Sequence, residues 1–282
     1  MIDDAPMDLN PRDLSYSAIA KGRLGRLTIR TLENLTGRPQ VLMRLRPLAD
    51  RIAQGQPIWD ALWDVFDLKL NRIGPPLPAT GPLLVIANHP YGLLDSLALC
   101  KMLSETGQPF KIVANEVYGR AGPIADYILP ISFDSGREAA RRNLQTRRAA
   151  LAALNAGQIV AMFPAGATAC PPRPFQRPHE CPWSSFTARI AMESGAPIAP
   201  ICFPTQSRPF FDNVGFVHPT LRNGLQINGF YQRIGSQVDA YTAAPFTVEQ
   251  AITATDATAA MRRKVLTLGP DKTDPSVEGA QF

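Results

Sequence analysis

The segment Ala87-Asn88-His89-Pro90-Tyr91-Gly92-Leu93-Leu94-Asp95 places an imidazole and a carboxylate on one short stretch of chain. An apolar run, Leu83-Leu84-Val85-Ile86-Ala87, leads almost directly into the histidine. Pro90 and Gly92 favour a tight backbone path that can return Asp95 to His89. A general base needs such a pair. One ring nitrogen must reach a hydroxyl, while a carboxylate on the other fixes the tautomer and stabilises the imidazolium. On these residues alone, His89 ending a strand and Asp95 capping the next helix is an equally good reading. A second segment, Val160-Ala161-Met162-Phe163-Pro164-Ala165-Gly166-Ala167-Thr168, repeats the layout with a loop of small residues. Such a loop lets backbone N–H groups approach an anion or a developing oxyanion, although an ordinary turn has the same composition. A third, Ser194-Gly195-Ala196-Pro197-Ile198-Ala199-Pro200-Ile201-Cys202-Phe203, reads as a helix end followed at once by a strand.

These segments need elements to hold them. From Ser15 to Leu70 the pattern is helical, with breaks at Gly37-Arg38-Pro39 and around Gly55-Gln56-Pro57. Pro75-Pro76-Leu77-Pro78 closes that part as a stiff connector. Beyond it, strand-sized apolar runs alternate with helices. Strands are expected at 83–87, 110–114, 129–133, 158–163 and 197–203, and helices at 96–103, 138–155 and 183–193. Residues 225–234 and 237–241 read as late strands. The alternation predicts an α/β fold: a largely parallel mixed sheet flanked by helices, with an N-terminal helical segment. The expected division is a helical segment over 1–78, an α/β domain over 79–271 and a disordered tail over 272–282. In such sheets reactive groups sit just past the carboxyl ends of strands.

Composition narrows the classes. The 282 residues are 45% hydrophobic and 19% charged, as in globular chains. No apolar run approaches the ~18–20 residues of a bilayer-spanning helix, and the N-terminus lacks the layout of a signal peptide. Three histidines and four cysteines without close-paired spacing give poor support for a metal site. The cysteines read as reduced thiols. The formal net charge of +5 gathers in residues 11–72 and again at Arg137, Arg141, Arg142, Arg147 and Arg148. Aromatics are not interleaved with these arginines, so a nucleic-acid stacking platform is not expected. Arginines beside Trp59, Trp63 and Phe66 suit an anionic membrane interface instead, and equally a helical pair that covers the sheet and leaves its arginines in solvent.

Taken together, the three segments resemble the lysophospholipid acyltransferase (PlsC-like, glycerolipid acyltransferase) family. Its blocks are a His and Asp preceded by Asn, a Phe-Pro-x-Gly loop, and a Pro-containing strand, which stand here in that order. Arg137 looks like the basic residue of the remaining block. Asn34-Leu35-Thr36-Gly37-Arg38 and Trp59-Asp60-Ala61 look like a haemolysin-like subgroup that includes ornithine-lipid acyltransferases. The resemblance implies His89 as base and Asp95 as its partner. It implies substrate contacts at Asn88, Gly92, Phe163, Pro164 and Gly166, with charge from Arg120, Arg137 or Arg208. The acyl donor would be acyl-CoA or acyl carrier protein, with no bound cofactor, and the acceptor a lysolipid. The implied location is cytoplasmic, peripheral on the inner face of the membrane.

There are two departures from the family pattern. His89 and Asp95 are separated by one residue more than in most members. Ala165 and Thr168 replace a Glu and an Arg that the family associates with glycerol phosphate, which argues for another head group such as lyso-ornithine lipid. Ser96 is expected to be structural. The rival readings are a lipid or thioester hydrolase on the same scaffold and a non-catalytic lipid-binding protein.

Overall fold

A computed structural model describes residues 15–20, 22–116, 122–205, 213–214, 218–248 and 252–270. Arg120, Arg208 and the tail 272–282, all singled out from sequence, lie outside the described residues. The chain starts with helices α1 (Arg23–Leu35), α2 (Arg38–Leu45), α3 (Leu48–Ala53) and α4 (Ile58–Val65). Then come β1 (Lys69–Ile73), β2 (Leu83–Ala87), α5 (Leu93–Ser104), β3 (Phe110–Asn115), β4 (Ile128–Ile131), α6 (Arg137–Asn155) and β5 (Ile159–Met162). The chain continues through α7 (Phe186–Ser194), β6 (Ile198–Cys202), α8 (Pro219–Gly224), α9 (Gln226–Tyr231), β7 (Gln237–Thr242) and α10 (Ala254–Leu266).

The seven strands form one sheet in the order β1-β7-β6-β2-β5-β3-β4. Neighbours run parallel except β6 and β7. This is an α/β fold with a largely parallel sheet between helices. Strand β2 lies near the centre and is buried throughout. Its side chains alternate between two cores, as strand geometry requires. Leu83, Val85 and Ala87 join the core that includes α4 and α5, while Leu84 and Ile86 join the one that includes α6, α7 and α10. Burial on both faces explains why β2 reads as an unbroken apolar run.

Register decides where the loops emerge. Ile86 pairs with Met162 of β5, and Ala87 pairs with Ile201 of β6. The three parallel strands therefore end side by side, and the loops after Ala87, Met162 and Cys202 open at one edge of the sheet.

Three expectations need correction. Residues 69–73 extend the sheet as β1, paired in parallel with β7, so the sheet begins inside the segment read as helical. As an exposed edge strand, Lys69-Leu70-Asn71-Arg72-Ile73 has no apolar run to announce it. Residues 226–231 form helix α9 instead of a strand. Ile227 and Phe230, three apart, turn to one side, and Phe230 meets Phe66 edge-on at 4.8 Å. Finally, Trp59, Trp63 and Phe66 are core residues, with relative exposures of 5%, 6% and 2%. Trp59 packs against Tyr127 at 5.2 Å, which removes it from any membrane surface. Four exposed apolar side chains gather on the first two helices, while Ile73, Phe133, Leu144, Phe175 and Tyr231 are exposed singly elsewhere. Leu24, Leu27 and Leu35 are 81%, 64% and 77% exposed on α1, and Met43 is 56% exposed on α2.

Candidate active site

The site is built where β2, β5 and β6 end. Asn88 is buried and pairs its side-chain amide with one residue beyond β6. Its Nδ2 donates to the Phe203 carbonyl at 2.8 Å, and its Oδ1 accepts from the Phe203 N–H at 2.7 Å. Two backbone groups that lie past the sheet ladder are thereby satisfied, and the ends of β2 and β6 are tied together.

The peptide groups of His89 are held from two sides. Its N–H donates to Glu180 Oε2 at 3.1 Å, and its carbonyl accepts from the Ala169 N–H at 2.9 Å. The ring stacks on Phe163 with centroids 4.0 Å apart and planes 24° from parallel. Nδ1 lies 3.1 Å from Asp95 Oδ2. The His89 side chain is 16% exposed and that of Asp95 is 0% exposed. A carboxylate only accepts, so the proton of this bond belongs on Nδ1 and the lone pair on Nε2. No hydrogen bond occupies Nε2 among the described residues.

Asp95 returns because the chain turns at Gly92, whose φ of +85° lies in the region that glycine enters without a Cβ penalty. Gly92 caps α5, and Ser96 Oγ donates to its carbonyl at 2.9 Å, the structural role expected for that serine. Asp95 stands in the first turn of α5, where the helix dipole favours negative charge. Its Oδ2 also accepts the Tyr91 N–H at 3.0 Å. Tyr91 is anchored in turn by its hydroxyl, which donates to the Pro204 carbonyl at 2.6 Å.

The second loop packs beside the ring. Gly166 closes a turn by donating to the Phe163 carbonyl at 3.0 Å, and the Ser184 N–H donates to the Pro164 carbonyl at 3.2 Å. Gly166 has φ +66°, and a Cβ there would lie 2.5 Å from Phe133 Cε1. Both facts require glycine.

Of the residues singled out from sequence, Asn88, His89, Gly92, Asp95, Phe163, Pro164 and Gly166 converge at this edge. Arg137 is exposed in the first turn of α6, and its side chain makes no hydrogen bond or ion pair with a described residue.

Two participants carry no motif. Glu180 is buried beneath His89, and burial pushes its carboxyl up to about 7. The nearby Asp95 adds to that rise, while the His89 N–H and the Trp183 indole, which donates to Oε1 at 3.0 Å, oppose it. Arg222 reaches in from α8 and donates to Thr168 Oγ1 at 3.0 Å and to the Ala169 carbonyl at 2.9 Å. The cation beside Thr168 thus comes from a helix, 54 residues later in the chain. Nothing local to either residue signals this. An isolated acid in a Pro-rich loop and an arginine in a short helix are ordinary features of a sequence. Among the described residues, no group of three or more His, Cys, Asp or Glu side chains is placed to hold a metal ion.

Residues 72–204 match the model of a family described as Acyltransferase, a span that runs from the end of β1 to just beyond β6 and contains His89, Asp95 and the Phe163–Gly166 turn. No curated protein matches the sequence. Among solved structures, the chain is similar to the crystal structure of the 1-acyl-sn-glycerophosphate (LPA) acyltransferase, PlsC, from Thermotoga maritima. The identity is 14%, the match covers 92% of this chain and 96% of that one, and the TM-score is 0.46.

Proposed function

We propose that this chain is an O-acyltransferase that moves a fatty acyl group from a thioester, acyl-CoA or acyl carrier protein, to the hydroxyl of a lysolipid. One observation carries the reading: a buried carboxylate on Nδ1 of a histidine whose Nε2 has no partner among the described residues. The family match over residues 72–204 supports the reaction class.

In this reading, Nε2 of His89 takes the proton of the acceptor hydroxyl as its oxygen attacks the thioester carbonyl. Asp95 holds the ring and balances the imidazolium. The tetrahedral intermediate collapses by breaking the C–S bond, and the thiolate leaves without needing a strong acid. No serine nucleophile is required. In the Phe163–Gly166 turn Pro164 has no N–H and the Gly166 N–H is taken by the Phe163 carbonyl, so the Ala165 N–H is the candidate donor to the oxyanion, where one such donor contributes a few kcal/mol.

For the acceptor, the absence of Glu and Arg at Ala165 and Thr168 favours a head group other than glycerol phosphate, with lyso-ornithine lipid as the first choice. Arg222 is committed to Thr168 and Ala169, so it serves to hold the loop.

Both substrates are amphiphilic or carrier-bound, and helix α1 offers a place to meet a membrane. Leu24, Leu27 and Leu35 form an exposed stripe at helical spacing, with Arg23, Arg26 and Arg30 exposed on the same helix. The opposite side holds the helix to the protein through buried Ile29 and through Glu33, which accepts from Ser15 Oγ at 2.6 Å. Among the described residues no helix is long and apolar enough to cross a membrane. The proposed contact is peripheral, on the inner face where the thioester donors are made available.

The test is acyl transfer from labelled acyl-CoA and acyl carrier protein to lyso-ornithine lipid, lysophosphatidate or no acceptor. Product that requires a lysolipid supports the reading. Equal thioester cleavage without acceptor would make the protein a hydrolase instead, and lipid binding without turnover would make it a binding protein.

A further inference from the structure

Two thiols that the proposed reaction does not use stand directly behind His89. Cys170 and Cys181 are both half-buried, with sulfur atoms 3.7 Å apart. Cys170 and His179 exchange two backbone hydrogen bonds, of 3.1 and 3.0 Å, so the segments bearing the thiols are already held side by side. A disulfide has an S–S length of about 2.05 Å, so closure asks for a movement of less than ~2 Å. The other two cysteines, Cys100 and Cys202, are buried.

The pair is also electronically uneven. The Cys170 thiol is lowered to about 6, chiefly by the Cys181 S–H bonded to it, against the opposing effect of burial and with help from the Arg222 guanidinium. Cys181 is pushed upward by the same partnership and by burial. One sulfur is thus suited to be the nucleophile and the other to resolve.

The segments that carry these thiols are the two straps on His89. Ala169, next to Cys170, donates to the His89 carbonyl, and Glu180, next to Cys181, accepts from the His89 N–H. Cys181 Sγ also lies 3.6 Å from the Thr168 carbonyl oxygen, an alternative acceptor for its single proton that a disulfide would leave without that donor.

We propose that Cys170 and Cys181 are a redox-modification site: they form a reversible disulfide on reaction with hydrogen peroxide, and the bond slows catalysis by shifting both straps on His89. The Cys170 thiolate attacks one peroxide oxygen, forming S–O and breaking O–O, and the departing oxygen is protonated to water. Cys181 sulfur then attacks Cys170 sulfur, S–S forms, S–O breaks, and hydroxide leaves as water with the Cys181 proton. Two thiols lose two electrons, and hydrogen peroxide gains them. A dithiol reductant reverses the change. The disulfide stands independently of the acyl-transfer reading, and only its effect on rate rests on it.

The experiment treats the full chain with hydrogen peroxide and maps cysteines by mass spectrometry after alkylation. The expected result is a Cys170–Cys181 cross-linked peptide, loss of two thiols, and recovery with dithiothreitol. Cys181→Ser should stop at a sulfenic acid on Cys170 that dimedone captures, and Cys170→Ser should give neither product. Oxidised wild type should turn over about tenfold slower, because a misplacement of ~1 Å at a catalytic group costs up to ~10²-fold. Both serine variants should escape that reversible disulfide inhibition. Separate over-oxidation of the two thiols without a cross-link would overturn the disulfide, and an unchanged rate in fully cross-linked protein would overturn the coupling. If the reduced protein turns over no substrate, the acyl-transfer reading fails separately. The rate of His89 modification by diethyl pyrocarbonate then reads the same displacement, and no change on oxidation would end the proposal's second half.

Discussion

His89 and Leu24 show two opposite uses of a side chain in this fold. Around His89, the backbone N–H, the carbonyl, one ring face and one ring nitrogen each have a partner, drawn from three stretches of chain. Around Leu24, the chain leaves 81% of the side chain in solvent, and only the far side of α1 is anchored. A catalytic group gains from being held, because the cost of ordering it is met during folding and not at each turnover. An interfacial helix gains from being bare, because its apolar area is reserved for another phase. The contrast implies that changes near His89 should alter rate or stability, whereas changes near Leu24 should alter only surface binding.

The largest expected effect inside the cradle is Asp95→Asn. The amide still fits the cavity but no longer demands a proton on Nδ1, so kcat should fall ~10²–10⁴-fold with little change in KM. Acceptor-dependent thiol release by the purified variant checks this. Asn88→Ala comes next. It orphans the N–H and carbonyl of Phe203 in a buried place, and denaturant unfolding should show a loss of about 2–4 kcal/mol.

Glu180 supplies a pH test. Its carboxyl is raised from 4.5 to about 7 in the folded chain, so the folded state binds the proton more tightly than the unfolded state. The contribution of this group to stability should therefore be fully present below about pH 4.5 and decline as pH rises to about 7. The slope from this group reaches at most ~1.4 kcal/mol per pH unit. Urea midpoints across that window, compared with Glu180→Gln, measure it, and the variant should be flatter. The smallest effect on the fold is expected at α1. Replacing Leu24 and Leu27 with Ser should leave stability within ~0.5 kcal/mol, yet reduce binding to anionic vesicles about tenfold. Loss of stability without loss of vesicle binding would reverse the roles assigned to the two regions.

The same contrast explains what could be read from sequence. Strand β2, its histidine, the returning aspartate and the Phe163–Gly166 turn are local features, encoded by an apolar run and a few Pro and Gly residues. They were legible because they depend on near neighbours. Glu180 and Arg222 were not, because each acts across the fold, and neither has a local pattern. Strand β1 was hidden by its exposure, since an edge strand needs no apolar stripe. Trp59, Trp63 and Phe66 were misplaced for a related reason: helical spacing shows which residues share a face but not what covers it. Here α5 and the sheet cover them, and the exposed apolar stripe falls on α1.

The central claim is that His89 is the base that Asp95 orients. The most direct measurement is thiol release from acyl-CoA or acyl carrier protein with a lysolipid present, for wild type and His89→Ala of matched circular dichroism and melting temperature. A loss of ~10²–10⁴-fold in kcat is the predicted result. Turnover within a few-fold of wild type by the folded variant would contradict the account and leave His89 as a residue that ends a strand.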